Sequence, residues 1–304
     1  MFSDSVIFQK INRRFSTVKY IFYRLFTSRN YRWKFWFSQV KPRLARRSFI
    51  SKMPIDIVIL AIEKDLETLP YVIEGVRRNI NHPVSNIYIV SPLLNKIQKL
   101  CSASGCVFVD EKLVLDLDPD SLNKIIQLED RSKWYYQQFL KWSGDKFSSE
   151  THYLVVDADT VFIRPQSFEK NGKVIFNFSD EYHQPYFDHY KRILGETVKC
   201  PVSFTSHQML FENAKLKELK KKIEDINCCI WYEAILKNLD INVVSGSSDY
   251  DTYGQYVFSH YRSSIMLEYW FNKSLKRKYL QNLDQLEHLY RDKYKSISFH
   301  SWNK

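Results

Sequence analysis

The chain has 304 residues, 44% of them hydrophobic and 26% charged, with a formal net charge of +11. That length holds one large α/β domain, or one domain with an appendage, and the composition excludes wholesale disorder. Five cysteines, Cys101, Cys106, Cys200, Cys228 and Cys229, show no CxxC pair and no zinc-type spacing, which argues against a disulfide scaffold or zinc module and fits a reducing compartment.

The charge is unevenly placed. Of the 45 basic and 34 acidic residues, 13 basic and one acidic residue (Asp4) fall in 1–52, leaving 32 and 33 for 53–304, a net of −1. Within the first segment Phe8, Ile11, Phe15, Val18, Phe22 and Leu25 recur at steps of three and four, which predicts a helix with one apolar face. Lys10, Arg13, Arg14, Lys19 and Arg24 lie between or beside that stripe, and Trp33 and Trp36 follow. A basic balance alone would point to nucleic acid. Concentrated in one aromatic-rich arm, it points instead to an anionic membrane surface, and no nucleic-acid partner is expected. No run is long enough to span a bilayer and no export signal is visible, so the expected location is cytoplasmic, peripheral on the inner face of the membrane.

The folded domain is expected over 53–304. Ile55 to Ala61 reads as a buried strand rich in β-branched residues, Tyr71 to Asn79 as a helix, and Asn86 to Ser91 as a second strand. A helix over about Leu94 to Ala103 and a strand from Cys106 to Asp110 follow, then a helix from Ser132 to Trp142 and a strand from Tyr153 to Asp157. Alternating strands and helices predict an α/β fold with a mostly parallel sheet, whose ligands sit at the carboxyl ends of the strands. Glu63, Asp65 and Asp110 fall at or just past those ends. Beyond Gly172 the pattern loosens. Short strands are expected at Val174–Phe178, Ser203–Phe211 and Ile241–Val244, helices near 212–226 and 228–239, and a loop around His183, Tyr186, His189 and Tyr190.

Asp157-Ala158-Asp159 follows four apolar strand residues. Side chains at i and i+2 of an extended segment point the same way, so both carboxylates are expected to face one spot. Paired carboxylates repel unless a cation or proton sits between them, and a hard divalent ion both resolves this and grips a diphosphate. Three other readings compete. Two aspartates can bond the backbone of a turn. Asp157-Ala158-Asp159-Thr160-Val161 also fits the nucleophile pattern of haloacid-dehalogenase-type phosphatases, with Asp157 as nucleophile. That family normally opens its fold with this strand, whereas roughly 100 residues of α/β sequence precede it here by the strand and helix reading above, and no downstream GDxxxD occurs. A non-catalytic sugar- or lipid-binding module is the third.

Taken in order, the first strand through Glu63, Gln137-Gln138-Phe139-Leu140-Lys141, Asp157-Ala158-Asp159 with Arg164-Pro165, Ser203 to Phe211, and Trp231-Tyr232-Glu233-Ala234-Ile235-Leu236 resemble a GT-A glycosyltransferase. The match is nearest to a bacterial family of largely uncharacterised glycosyltransferases and runs over 54–302. The resemblance implies a GT-A, Rossmann-like fold with a donor half over about 53–165 and an acceptor half over about 166–304. It also implies a nucleotide-sugar donor and a divalent metal, Mn²⁺ or Mg²⁺, as cofactor; the reaction expected here moves a hexose from a UDP-linked donor to a glycan or glycolipid acceptor. Surface polysaccharide or lipopolysaccharide assembly is the pathway expected from the basic arm. By the same resemblance Glu233 is the general base, although this chain has Ala234 where the pattern usually has Asp, and Asp251 and Asp249 are reserves. His300 is the third metal ligand beside Asp157 and Asp159. Gln138 and Lys141 share a helix face and are assigned, with Glu63, Asp65, Asp110 and Asp157 to Asp159, to donor binding. His207, Tyr186 and His183 are assigned to the acceptor side.

Overall fold

The computed structural model describes residues 49–115, 117, 119–126, 131–179, 181–240 and 242–300. The basic arm expected over 1–52 lies outside the described residues but for 49–52. Strand β1 (Ile55–Leu60) is buried at every position, as a strand covered on both faces must be. Each of its large apolar side chains contributes about 1.5–3 kcal/mol on leaving water. Helix α1 (Leu69–Asn79) follows, with Pro70 in its first turn where no intrahelical N–H is needed. It buries Leu69, Val72, Ile73 and Val76, the i, i+3, i+4, i+7 face of an amphipathic helix. Then come β2 (Val84–Ser91), α2 (Asn95–Ala103), β3 (Val107–Asp110), the short α3 (Glu111–Val114), α4 (Pro119–Ile126), α5 (Ser132–Trp142) and β4 (His152–Asp157).

The remainder runs β5 (Thr160–Phe162), β6 (Glu169–Lys170), β7 (Lys173–Phe178), α6 (Gln184–Leu194), β8 (Gln208–Glu212), α7 (Asn213–Asn227), α8 (Trp231–Lys237) and α9 (Asp249–His260). It closes with β9 (Ile265–Tyr269), β10 (Asn272–Ser274), α10 (Leu283–Tyr290) and β11 (Ser296–Ser298). The central sheet has the order β3-β2-β1-β4-β8. Its first four strands are parallel and β8 is antiparallel to β4. This is the α/β, parallel-dominated sheet flanked by helices that the alternating pattern predicts.

The strand order fixes where a ligand can sit. The chain builds outward from β1 to β2 and β3, then crosses back to place β4 on the other side of β1. The carboxyl ends of β1 and β4 therefore flank a topological switch point, the place in an open α/β sheet where ligands generally bind. Leu60 and Asp157, the last residues of the two strands, are in register across it.

Four expectations are corrected. Asp157 and Asp159 do not lie on one extended segment: β4 ends at Asp157, and Ala158 and Asp159 form the turn into β5, which pairs antiparallel with β11 in a second sheet. The strand expected over Ser203–Phe211 begins only at Gln208, because His207 takes a left-handed backbone (φ 63°) that no strand continues through. The expected loop at 183–190 is mostly helix, α6, with His189 and Tyr190 buried in its inner face. The strand placed at Ile241–Val244 is not seen either, since 242–248 is irregular.

Candidate active site

The turn at Asp157–Asp159 is held from three directions. Thr68, just before α1, donates its hydroxyl to the Ala158 carbonyl at 2.8 Å. The Phe299 N–H donates to the Asp159 carbonyl at 2.8 Å, extending the pairing of β11 with β5. That pairing carries His300, 141 positions along the chain, to the turn: its Nδ1 lies 3.0 Å from Asp159 Oδ2. On the other side the Asp157 N–H donates to the His207 carbonyl at 3.0 Å.

Asp157 is engaged on both oxygens. Lys141 Nζ (2.8 Å) and the Tyr250 hydroxyl (2.9 Å) donate to Oδ1, and His207 Nδ1 lies 3.4 Å from Oδ2. Burial alone would raise the Asp157 carboxyl, but these cationic neighbours outweigh it and hold it well below the usual carboxylate range. Lys141 shows the converse: desolvation pulls its ammonium down, and Asp157 and Asp249 pull it further up. His207 spans two carboxylates, its Nε2 reaching Glu181 Oε1 at 3.3 Å. Desolvation opposes its charge, yet the bonds to Asp157 and Glu181 raise the imidazole to about 10. The His207 and His300 rings sit 5.0 Å apart, so the two halves of the turn share one polar cluster.

The sequence-expected residues separate into two groups. Lys141, Asp157, Ala158, Asp159, His207 and His300 come together at the switch point. Asp65 lies beside them but is buried, where its Oδ2 accepts the Ile62 N–H and Arg277 reaches Oδ1 at 3.4 Å. Burial raises its carboxyl. Glu63 pairs at the surface with Lys96, and Asp110 caps α3 by accepting the Lys112 N–H. Gln138 does not face a donor crevice: it is 6% exposed and its Oε1 accepts the Asp249 N–H. Gln138, His189 and Asp249 line a small cavity between α5, α6 and α9, and Asp249 Oδ2 stands 3.5 Å from Lys141 Nζ. His183 Nε2 lies 3.0 Å from the Ser245 carbonyl and its ring packs edge-on against Tyr186.

The two expected bases are placed otherwise than the motif implies. Glu233 opens α8 as expected, but its carboxylate accepts from Lys237 one turn on. Asp251 is 2% exposed and accepts from the Phe204 N–H, the Ser203 hydroxyl and the Thr205 hydroxyl. It pins the loop before β8. That loop in turn holds the exit of β7, where the Ser179 N–H donates to the Ser203 carbonyl and the Ser179 hydroxyl receives the Glu181 N–H.

Glu181 and Tyr250 are the site residues that sequence reasoning passed over. Glu181 carries a usable signal: it is an acid just past the end of an apolar strand, the same placement that marks Asp157. Tyr250 carries none, since its contact with Asp157 spans 93 positions and is made only by packing.

A family model matches the chain over residues 81–304, well over half its length. The chain belongs to the family of unknown function DUF6492. The matched span of this DUF6492 chain takes in β4, the Asp157–Asp159 turn, His207 and His300. No curated protein matches it. Among solved structures it is similar to mouse xyloside xylosyltransferase 1 in the apo form, at a TM-score of 0.44 and 11% identity over 83% of this chain and 99% of that one. It is also similar to the bifunctional glycosyltransferase WbbM, apo (0.44, 14%), over 86% of this chain and 49% of that one. A third is the galactosyltransferase LgtC in complex with donor and acceptor sugar analogues (0.42, 13%), over 81% of this chain and 87% of that one.

Proposed function

We propose that this DUF6492 chain is a metal-dependent glycosyltransferase that takes a hexose from a UDP-linked sugar and passes it to a glycan or glycolipid acceptor. The observation that carries this reading is the Asp159–His300 pair standing at the switch point of a parallel sheet. That position suits a nucleotide. Among the described residues no group of three or more His, Cys, Asp or Glu side chains forms a metal cage. Asp159 nonetheless suits Mg²⁺ or Mn²⁺, hard ions commonly held by one or two carboxylates plus substrate phosphates and water, with the His300 imidazole as a weaker additional ligand. Asp159 Oδ2 and His300 Nδ1, now 3.0 Å apart in a hydrogen bond, are the two atoms that would hold the ion. An ion so held offsets the charge that develops on the departing nucleoside diphosphate.

Asp157 supports the pair by position. With Lys141, Tyr250 and His207 on its two oxygens it anchors the turn, and it is poorly disposed to attack a phosphorus atom, which counts against the phosphatase reading. A membrane-apposed, lipid-linked acceptor is proposed from the basic residues of 1–52, and with it a peripheral location and a role in surface polysaccharide assembly.

The test is a thermal-unfolding series with UDP, GDP and CDP, each with and without Mn²⁺. A ligand at about 100 times its Kd adds roughly 2.7 kcal/mol of stability. The expected result is a Mn²⁺-dependent rise with UDP that Asp159→Asn abolishes. No rise with any nucleotide, together with hydrolysis of a phosphate monoester, would overturn the reading.

A further inference from the structure

Glycosyl transfer needs a base for the acceptor hydroxyl, and the carboxylates around the turn are not equal candidates. Asp157 is saturated by cationic and hydroxyl donors, and Asp159 faces His300. Asp65, Asp249 and Asp251 are buried at 6%, 8% and 2% exposure, out of reach of an incoming sugar. Glu233 is half-exposed on α8 and pairs there with Lys237 rather than with the cluster at the turn. Glu181 alone in this group, among the described residues, combines contact with the cluster and access: its side chain is 54% exposed while Oε1 lies 3.3 Å from His207.

Its position is also built. Ser179 accepts the Glu181 N–H at 3.1 Å, Ser203 ties Ser179 to the loop before β8, and Asp251 pins that loop with three hydrogen bonds. His207, held in a left-handed conformation that a non-glycine residue adopts only when its surroundings impose it, turns its ring so that one nitrogen meets Asp157 and the other Glu181. One carboxylate oxygen is thereby oriented, the group faces solvent, and the His207 ring that holds it lies 5.0 Å from the His300 ring.

We propose that Glu181, not Glu233, is the catalytic base of the transfer, with His207 and Asp251 as positioning residues. The inference rests on the glycosyltransferase reading. In the step, Glu181 takes the proton of the acceptor hydroxyl as that oxygen bonds to the anomeric carbon. The bond from that carbon to the phosphate oxygen breaks, and its electron pair leaves on the nucleoside diphosphate. Water entering in place of the acceptor would be activated in the same way.

The experiment uses the full chain with UDP-glucose and UDP-galactose in Mn²⁺, following UDP release to water alongside the UDP-induced thermal rise. Glu181→Gln is expected to lower the turnover rate by roughly 10²–10⁴-fold while keeping the UDP-induced rise. Formate added to Glu181→Ala should restore part of the rate, which no merely structural defect would allow. Wild-type turnover in Glu181→Gln, or a loss confined to Glu233→Gln, overturns this inference and leaves the glycosyltransferase reading standing. Neither thermal rise nor UDP release from the wild type would fell both.

Discussion

The Lys141 ammonium reaches Asp157 at 2.8 Å, the Tyr250 hydroxyl at 3.0 Å and Asp249 at 3.5 Å, from a side chain that is 11% exposed. Taking it away leaves two acids facing a low-dielectric site with less countercharge, and breaking a buried pair from one side costs about 3–5 kcal/mol. Lys141→Met is therefore expected to lose stability in that range in urea unfolding. Lys141→Met with Asp157→Asn should recover part of it, because one of the two uncompensated charges is then gone. Full additivity of the two losses would show that the pair is not coupled. At this scale the sequence was legible where chemistry is written into neighbours. Asp157 and Asp159 announced themselves after an apolar strand, and His300 after a short one. The roles of Gln138 and Asp251 were not legible, because each is decided by which side chains from distant elements close around it. The motif at Glu233 marks the start of a helix correctly and says nothing of the Lys237 that occupies its carboxylate.

Helix α1 lies against β5 through Gly75, and that contact sets the height of the turn before it. A methyl group at Gly75 would stand 2.8 Å from the Phe162 carbonyl oxygen and 3.0 Å from its nitrogen, both backbone atoms that cannot swing aside. Alanine gains about 1 kcal/mol over glycine in helix propensity. Overpacking a tight contact costs about 1–3 kcal/mol, and more where backbone must move. The clash should win, so Gly75→Ala is expected to lower the unfolding midpoint and, by shifting β5 and with it Asp159, to weaken the Mn²⁺-dependent rise with UDP. A stabilised variant would mean that α1 slides freely on the strand. Elements up to β4 were legible because each is a local pattern, β-branched runs for strands and a 3.6-residue stripe for helices. Those after β5 were less so. The backbone reversal at Asp159 and the left-handed turn at His207 are imposed by β11 and by the Asp157 contact, and neither leaves a local mark in composition.

The whole molecule divides its charge unevenly. Residues 53–304 are close to neutral while 1–52 carry 13 basic residues against one acid. Among the described residues no helix is long and apolar enough to cross a membrane. A lipid-linked acceptor at an anionic leaflet would gain a held enzyme, each Lys or Arg near the surface contributing about 1 kcal/mol. Replacing Arg13, Arg14, Lys19 and Arg24 together by Gln should then cut binding to vesicles containing phosphatidylserine by roughly a thousand-fold at low salt, the product of four such terms. Wild-type binding should fall as salt shortens the Debye length from about 10 Å at 0.1 M to about 3 Å at 1 M, while the apolar stripe from Phe8 to Leu25 leaves a salt-resistant remainder. Sedimentation with neutral and anionic vesicles reads both effects. Equal binding to the two vesicle types would place the arm's charge in some other service and remove the ground for a membrane-held acceptor, leaving the chemistry at Asp159 and His300 untouched.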